Sequence, residues 1–244
     1  MPEPVILLHG FAGTRRSWDL VAERLDRERY TPIALDLRGH GAARDVRPVD
    51  FAGCVDDVLL AAPARFVLCG YSMGGRVALH VALAAGERVS ALVLVASTAG
   101  IEGEQARAAR RAEDEALADE VEHMEMEAFV ARWTSMPIFA GTPPDAAAFW
   151  EADLRRNRPD ALAAALRGLG GGVMEPVWDR LSELAMPATV VVGERDSKFI
   201  AMGERLVAAL PAARDLVVVP GAGHGLPRES AAAVAAAISG LRNR

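Results

Sequence analysis

The chain lacks the features that mark several protein classes. Two cysteines in 244 residues, Cys54 and Cys69, are too few for a disulfide framework. One falls in a predicted helix and the other in a predicted strand, where a thiol serves as a small buried hydrophobe. No run of about 18 uncharged apolar residues occurs, so no membrane span is expected. Met1-Pro2-Glu3-Pro4 leads straight into a strand with no basic stretch or apolar signal core, and a cytoplasmic location is expected. There is no excess of positive charge. A net charge of −6 and a pI of about 5.5 argue against nucleic acid as the main partner, but not against a locally cationic pocket. Internal repeats, long linkers and cysteine–histidine clusters are also missing, so neither a metal nor an organic cofactor is expected. What remains is 51 % hydrophobic with a mean hydropathy of +0.15, which suits one compact α/β domain carrying a small insertion.

The chain is organised around Phe66 to Val77. Phe66 to Cys69 is a short apolar strand, and Val77 to Leu83 reads as a buried helix. Between them lies Gly70-Tyr71-Ser72-Met73-Gly74, a G-x-S-x-G at a sharp strand-to-helix turn. Such a turn strains the serine backbone and admits only small flanking residues, because strand and helix pass so close. The hydroxyl is lifted clear of the sheet, and backbone N–H groups at the helix N-terminus face whatever it touches.

A serine there is inert without a base. Ala188 to Gly193 is a strand followed by the loop Glu194-Arg195-Asp196-Ser197-Lys198, and Leu216 to Val219 is a strand followed by Pro220-Gly221-Ala222-Gly223-His224-Gly225. Serine, acid and histidine in that order, on loops after successive strands, is the α/β-hydrolase arrangement. Of five histidines, His224 alone sits in such a glycine-rich loop downstream of the serine. Asp196 is the best placed acid, ahead of Glu194 and Asp215. The expected catalytic residues are therefore Ser72, Asp196 and His224.

Val5 to His9 is the first strand, and its His9-Gly10-Phe11 end suits a loop that brings a backbone N–H to a substrate oxygen. The N–H groups of Phe11 and Met73 are the natural oxyanion donors. Ser17 is the expected N-cap of a helix reaching about Leu25. Tyr30 to Leu35 is a strand, and the following loop holds His40, expected to be structural because one base suffices. Val49 to Ala62 reads as a helix, and Ala91 to Ala96 as a strand. From Gly100 to Gly172 strand signals stop and alanine-rich helical periods take over. A helical block between two strands of a parallel sheet is the usual form of a lid. Residues 1–99 and 173–244 then form the core, with 100–172 as the lid. Two further helices are expected, over Phe199 to Leu210 and Arg228 to Leu241.

The first lid helix places Arg110, Asp114, Leu117, Val121, Met124 and Ala128 on one face. Arg111, Glu115, Ala118, Glu122 and Glu125 fall about 100° round from it. Arg111 should pair with Glu115 on a solvated face, while Arg110 should point inward towards an anion or Asp114. With Arg76 on the elbow helix, Arg155 in the lid and Lys198 in the acid loop, four cations near one serine suggest a small polycarboxylate substrate.

Taken together, Gly70 to Arg76, Gly100-Ile101 with Arg107 and Arg110, Trp133 with Pro137 and Phe139, Leu154-Arg155, and Gly193 to Phe199 resemble the 2-succinyl-6-hydroxy-2,4-cyclohexadiene-1-carboxylate synthases, lyases of the menaquinone pathway. The resemblance spans nearly the whole chain and departs at Arg38, where members often carry proline, and at Thr134, where some carry tyrosine. It implies an α/β-hydrolase fold and the triad Ser72, Asp196 and His224. It also implies a pocket lined by Tyr71, Arg76, Arg110, Trp133, Arg155 and Lys198. The implied reaction eliminates pyruvate and needs no cofactor, with a monomer as the default assembly. The same triad also suits a serine hydrolase of esters or of vinylogous diketones, and a non-catalytic binding protein is the most distant alternative.

Overall fold

The structure is a computed structural model that describes residues 1–240. β1 (Glu3–Leu8), α1 (Asp19–Arg24), β2 (Tyr30–Leu35), α2 (Phe51–Ala61), β3 (Phe66–Tyr71), α3 (Met73–Ala84) and β4 (Val89–Val95) come first. Four helices follow without an intervening strand: α4 (Glu104–Glu122), α5 (Met126–Thr134), α6 (Pro144–Leu154) and α7 (Pro159–Leu169). Then come β5 (Ala188–Gly193), α8 (Ser197–Ala209), β6 (Ala213–Val219), α9 (Leu226–Glu229) and α10 (Ala231–Gly240).

The strands pair in the order β2-β1-β3-β4-β5-β6, all parallel. Period-two alternation divides their side chains between two cores. Ile6, Leu8, Leu68 and Val190 pack with Val58 of α2, Val77 of α3 and Leu206 of α8. Val5, Leu7, Val67 and Val191 pack on the other face with Val21 of α1 and Val234 of α10. Covered on both faces, β3 and β5 are buried at every position, as continuous apolar strands of a parallel sheet should be. β1 has β2 on one side and β3 on the other, so the direction of strand addition reverses there, and ligand crevices of open α/β sheets form beyond strand C-termini at such a point. Leu8 pairs with Gly70 at the end of the β1–β3 ladder, so the chain after each strand emerges side by side.

Helices α4 to α7 build a third, smaller core from Ala118, Val121, Phe129, Leu162 and Leu166, which also covers Ala12. The end of α6 is tied to the sheet loops by buried polar groups. Asp153 accepts from Thr14 N (2.8 Å), Thr14 Oγ1 (2.6 Å) and Ser17 Oγ (3.2 Å). Asn157 donates to the Ala12 carbonyl (2.7 Å) and accepts from Gly41 N (2.9 Å).

Four local expectations need correction. Thr14, not Ser17, caps the first helical turn through Arg16 N, because Ser17 Oγ is engaged by Asp153. The stripe read along α4 runs too far and is rotated. The helix stops at Glu122, and its buried positions are Asp114, Ala118 and Val121, so Ala118 lies on the packed face. Arg111 reaches the Gly172 carbonyl at 3.3–3.4 Å, whereas Glu115 pairs with Arg167. The last predicted helix is broken between α9 and α10 at Ser230, and its expected end at Leu241 lies outside the described residues.

Candidate active site

Ser72 follows the last residue of β3 and precedes the first of α3, with φ +52° and ψ −111°. That is the left-handed region, strained for a residue bearing a Cβ. Ser72 N donates to the Val95 carbonyl (2.8 Å), and Ser97 Oγ donates to the Ser72 carbonyl (2.9 Å), so the strained peptide is held from the neighbouring strand. The turn is also sterically closed. A Cβ on Gly70 would stand 2.3 Å from the Gly74 carbonyl oxygen, and one on Gly74 would stand 2.2 Å from that of Leu8.

Ser72 Oγ lies 3.1 Å from His224 Nε2, and His224 Nδ1 lies 2.6 Å from Asp196 Oδ2. With Nδ1 protonated and donating to Asp196, Nε2 is free to accept the serine proton. His224 and Asp196 are buried, while Ser72 is partly open. The other two candidate acids are placed elsewhere. Glu194 accepts from Gly221 N (2.7 Å), and Asp215 sits in β6 opposite Thr189.

A cavity of about 580 Å³ opens over Ser72. Phe11 and Met73, the expected oxyanion donors, line it beside Ser72 and His224. So do five of the six expected substrate residues: Tyr71, Arg76, Arg110, Trp133 and Lys198. Arg76 donates to the Gly170 carbonyl (2.9 Å) and lies over the Phe51 ring. Burial, then the neighbouring Arg110, pull its pKa down to about 10, which still leaves it cationic at neutral pH. Arg110 lines the cavity with its Nε on Asp114 (2.8 Å), and Asp114 also accepts from Gly172 N. The inward arginine thus keeps an internal carboxylate partner and faces the cavity as well. A smaller apolar cavity of about 150 Å³ adjoins the first, sharing Phe11, Tyr71 and Trp133 and reaching Trp150; Thr134 lies on its wall.

Arg155 is not brought to either cavity. Its guanidinium forms a two-point pair with Glu127 at 2.8 Å and lies 3.6 Å from Glu151. Arg155 and Glu127 are exposed and Glu151 is half-buried, and two carboxylates on the insert's own surface satisfy the charge that a substrate would have met. Arg38 occupies its departure position by forking onto Asp57 and donating to the Pro48 carbonyl. His40 is buried, with Nδ1 3.1 Å from the Arg38 carbonyl oxygen, and burial followed by the adjacent His9 lowers its pKa to about 3. It is a neutral packing group.

Two charged lining residues escaped the sequence reading. Arg205 stands 2.7 Å from Glu102 and 4.0 Å from the Trp178 ring, with Glu102 and Arg205 both on the cavity wall. Its place two turns along α8 has no motif to announce it. Lys198 did carry an unused signal: every other one of the 27 basic residues is arginine. Among the described residues no helix is long and apolar enough to cross a membrane, and no group of His, Cys, Asp and Glu is placed to hold a metal.

Residues 5–237 match the family model described as Alpha/beta hydrolase family. A Bacillus subtilis (strain 168) protein, provisionally named 2-succinyl-6-hydroxy-2,4-cyclohexadiene-1-carboxylate synthase, is 36 % identical over 240 residues, covering 91 % of this chain and 84 % of that one. A Klebsiella pneumoniae subsp. pneumoniae protein bearing that synthase name is 31 % identical over 241 residues, covering 96 % and 92 %. Among solved structures, MenH from S. aureus superposes with a TM-score of 0.91 at 27 % identity, over 98 % of this chain and 92 % of that one. A malate-bound thermophilic esterase from Thermogutta terrifontis gives a TM-score of 0.82 at 26 % identity, over 98 % and 89 %.

Proposed function

The chain belongs to the alpha/beta hydrolase family, and from that premise we propose that it is a carbon–oxygen lyase. It would eliminate pyruvate from 2-succinyl-5-enolpyruvyl-6-hydroxy-3-cyclohexene-1-carboxylate to give 2-succinyl-6-hydroxy-2,4-cyclohexadiene-1-carboxylate. One observation carries the reading: Arg76, Arg110 and Lys198 line the same cavity as Ser72 and His224. Three cations around one serine, besides the Arg205 that pairs with Glu102, suit a substrate with several carboxylates, and a neutral ester has no use for them. The names of the relatives agree.

In this reading His224 draws the proton from Ser72, and the serine oxygen removes the proton next to the succinyl ketone. Asp196 fixes the imidazole tautomer. The electrons of the broken C–H bond shift through the ring alkene and expel the enolpyruvyl oxygen as an enolate, which takes one proton at its methylene carbon to become pyruvate. No water is consumed. The N–H groups of Phe11 and Met73 stabilise the developing enolate oxygen. Residues 100–172 act as the lid that closes over the ring.

A serine hydrolase is the second reading. The 3.1 Å and 2.6 Å contacts of His224 suit a nucleophilic serine equally well, and the esterase neighbour points the same way. A coupled pyruvate assay on the enolpyruvyl substrate, run beside a p-nitrophenyl ester panel on one preparation, separates the two. Fast pyruvate release with weak ester turnover is expected. Efficient ester hydrolysis without pyruvate would overturn the lyase and promote the hydrolase.

A further inference from the structure

Arg195 immediately precedes Asp196, and its guanidinium places each arm on a different segment. Nε donates to the Gly221 carbonyl (3.0 Å), in the turn that leads to His224. Nη1 donates to the carbonyls of Ala140 and Gly141 (3.2 and 2.8 Å), in the turn of the helical insert ahead of α6. Nη2 donates to Glu229 Oε2 (3.0 Å). The Glu229 side chain is almost fully buried, and its two oxygens accept the N–H groups on either side of His224. Gly223 N reaches Oε2 at 2.7 Å, and Gly225 N reaches Oε1 at 3.0 Å. One carboxylate therefore grips the histidine loop from both flanks, and the arginine holding that carboxylate leans on the insert. Contact with the insert is close: a Cβ on Gly141, which has φ +74°, would lie 2.1 Å from Arg195 Nη1.

An exposed ion pair of this kind would contribute little. Here one partner is buried and shared with two buried amides, and leaving such groups unmatched is costly. Placement matters as much as stability, because displacing a reacting group by ~1 Å costs on the order of 100-fold in rate.

We propose that Arg195 and Glu229 form a positioning pair that holds the His224 loop in its reactive register. We further infer that this register depends on docking of the Ala140–Gly141 turn, so the base is set when the insert is seated. The pair touches no substrate atom and acts through His224. It rests on the reading in which His224 serves as base for Ser72.

The test is the rate at which a fluorophosphonate labels Ser72, which reports the serine–histidine pair without any assumption about substrate. It is run beside kcat and KM for pyruvate release. Glu229→Gln keeps the shape but offers one acceptor oxygen where two amides need one each. Arg195→Ala removes the link, and Gly141→Ala crowds Arg195 Nη1 from the insert side without substituting any residue of the histidine loop. Labelling rate and kcat are expected to fall by ~10- to 100-fold in Glu229→Gln and about 10-fold in the other two, with KM shifted less than ~3-fold. The double variant Arg195→Ala/Gly141→Ala should be no slower than either single, since both cut one link. Unchanged labelling and kcat in folded Arg195→Ala and Glu229→Gln would overturn the proposal, and additive losses in the double variant would overturn the insert link. A wild-type protein that resists labelling removes the serine–histidine premise and the proposal with it. Labelling without pyruvate release sinks only the lyase reading, and the labelling rates of the variants still decide the pair.

Discussion

Backbone hydrogen bonds to neighbouring strands and loops frame the loops around Ser72 and His224, whereas the helices above them share a smaller apolar core and add side-chain ion pairs on their surface. Ser72 N bonds to Val95, Glu194 N to Val219, Arg195 N to Ala222 and Asp196 N to Gly193, at 2.8–3.0 Å. Across the insert the ties are Arg132 to Glu120, Arg155 to Glu127, and Arg167 to Glu115, Asp119 and Glu122, on exposed or half-buried surface. Exposed pairs contribute about 0–1 kcal/mol each, and salt weakens them. The exception is the end of α6, where Asp153 and Asn157 make buried bonds to the loops after β1 and β2. The difference assigns separate work to the two regions. The sheet loops carry the reacting atoms, while the insert, pinned by buried bonds at one end, lines the cavity with Arg110 and Trp133 and meets Arg195 through its Ala140–Gly141 turn.

The core half of the comparison breaks most visibly at the serine. Ser72→Ala is expected to lower turnover by ~10³-fold or more with the fold intact, and His224→Ala by a similar factor. The double variant should be little worse than either single, because the residues act as one unit. Near wild-type turnover by purified Ser72→Ala would remove the site assignment.

A second core prediction concerns acid. His40 is neutral in the fold with a pKa of about 3, against an ordinary value of 6.5. The unfolded chain therefore binds a proton that the folded chain refuses, and stability falls as pH drops from about 6.5 towards 3. At pH 5 this one group accounts for a loss on the order of 2 kcal/mol relative to neutral pH. His40→Asn should lack that component, so urea unfolding at pH 7 and pH 5 should show a smaller acid loss than in wild type. An equal loss in both would show that His40 is protonated in the fold.

The same division explains what could be read from the sequence. Alternating apolar strands, the Gly70–Gly74 turn and the order serine, acid, histidine are local signals, and each strand and sheet loop fell close to its expected place. The first half of the insert has no such punctuation, whereas its later helices open on Pro144 and Pro159 and the last closes at Gly170. Its first helix ends at Glu122, where neither glycine nor proline marks a stop, and Glu115 is claimed by Arg167 from α7 rather than by Arg111. Partner choice among 27 basic and 33 acidic residues is a tertiary outcome, invisible along the chain. Arg195 is the sharpest case, since its value lies in three segments that only folding brings together.

On the insert, Arg110 and Arg111 are adjacent in sequence and differ in environment. Arg110→Ala removes a cavity cation whose contact with a substrate carboxylate contributes on the order of 1.5–3 kcal/mol, so kcat/KM should fall at least ~10-fold. Asp114 would lose its partner too, and a melting curve separates that effect from the loss of binding. Arg111→Ala gives up only long contacts to the Gly172 carbonyl and should change activity less than ~2-fold. Equal losses in the two would mean that α4 presents a different face when substrate is bound.

Arg155 produces the smallest expected effect and tests the comparison most directly. The sequence resemblance places it in the substrate pocket, and the fold places it on the outer surface, forked onto Glu127 and beside Glu151. Where it stands, Arg155→Ala removes two surface ion pairs, so kcat/KM should change less than ~3-fold and the melting temperature hardly at all. Reaching the cavity would require Arg155 to leave two carboxylates, a modest cost because all three groups are solvated and the pair is weak. A polycarboxylate could supply the compensating contact, but only if α5 and the start of α6 shift while Asp153 and Asn157 hold the end of α6 in place. Glu127→Gln distinguishes the alternatives. If Arg155 works where it stands, releasing it changes nothing; if it swings inward on binding, weakening its outer partner should lower KM while Arg155→Ala costs ~10-fold or more. Steady-state kinetics of pyruvate release by both variants at low salt decides between an insert that is seated before substrate arrives and one that the substrate rearranges.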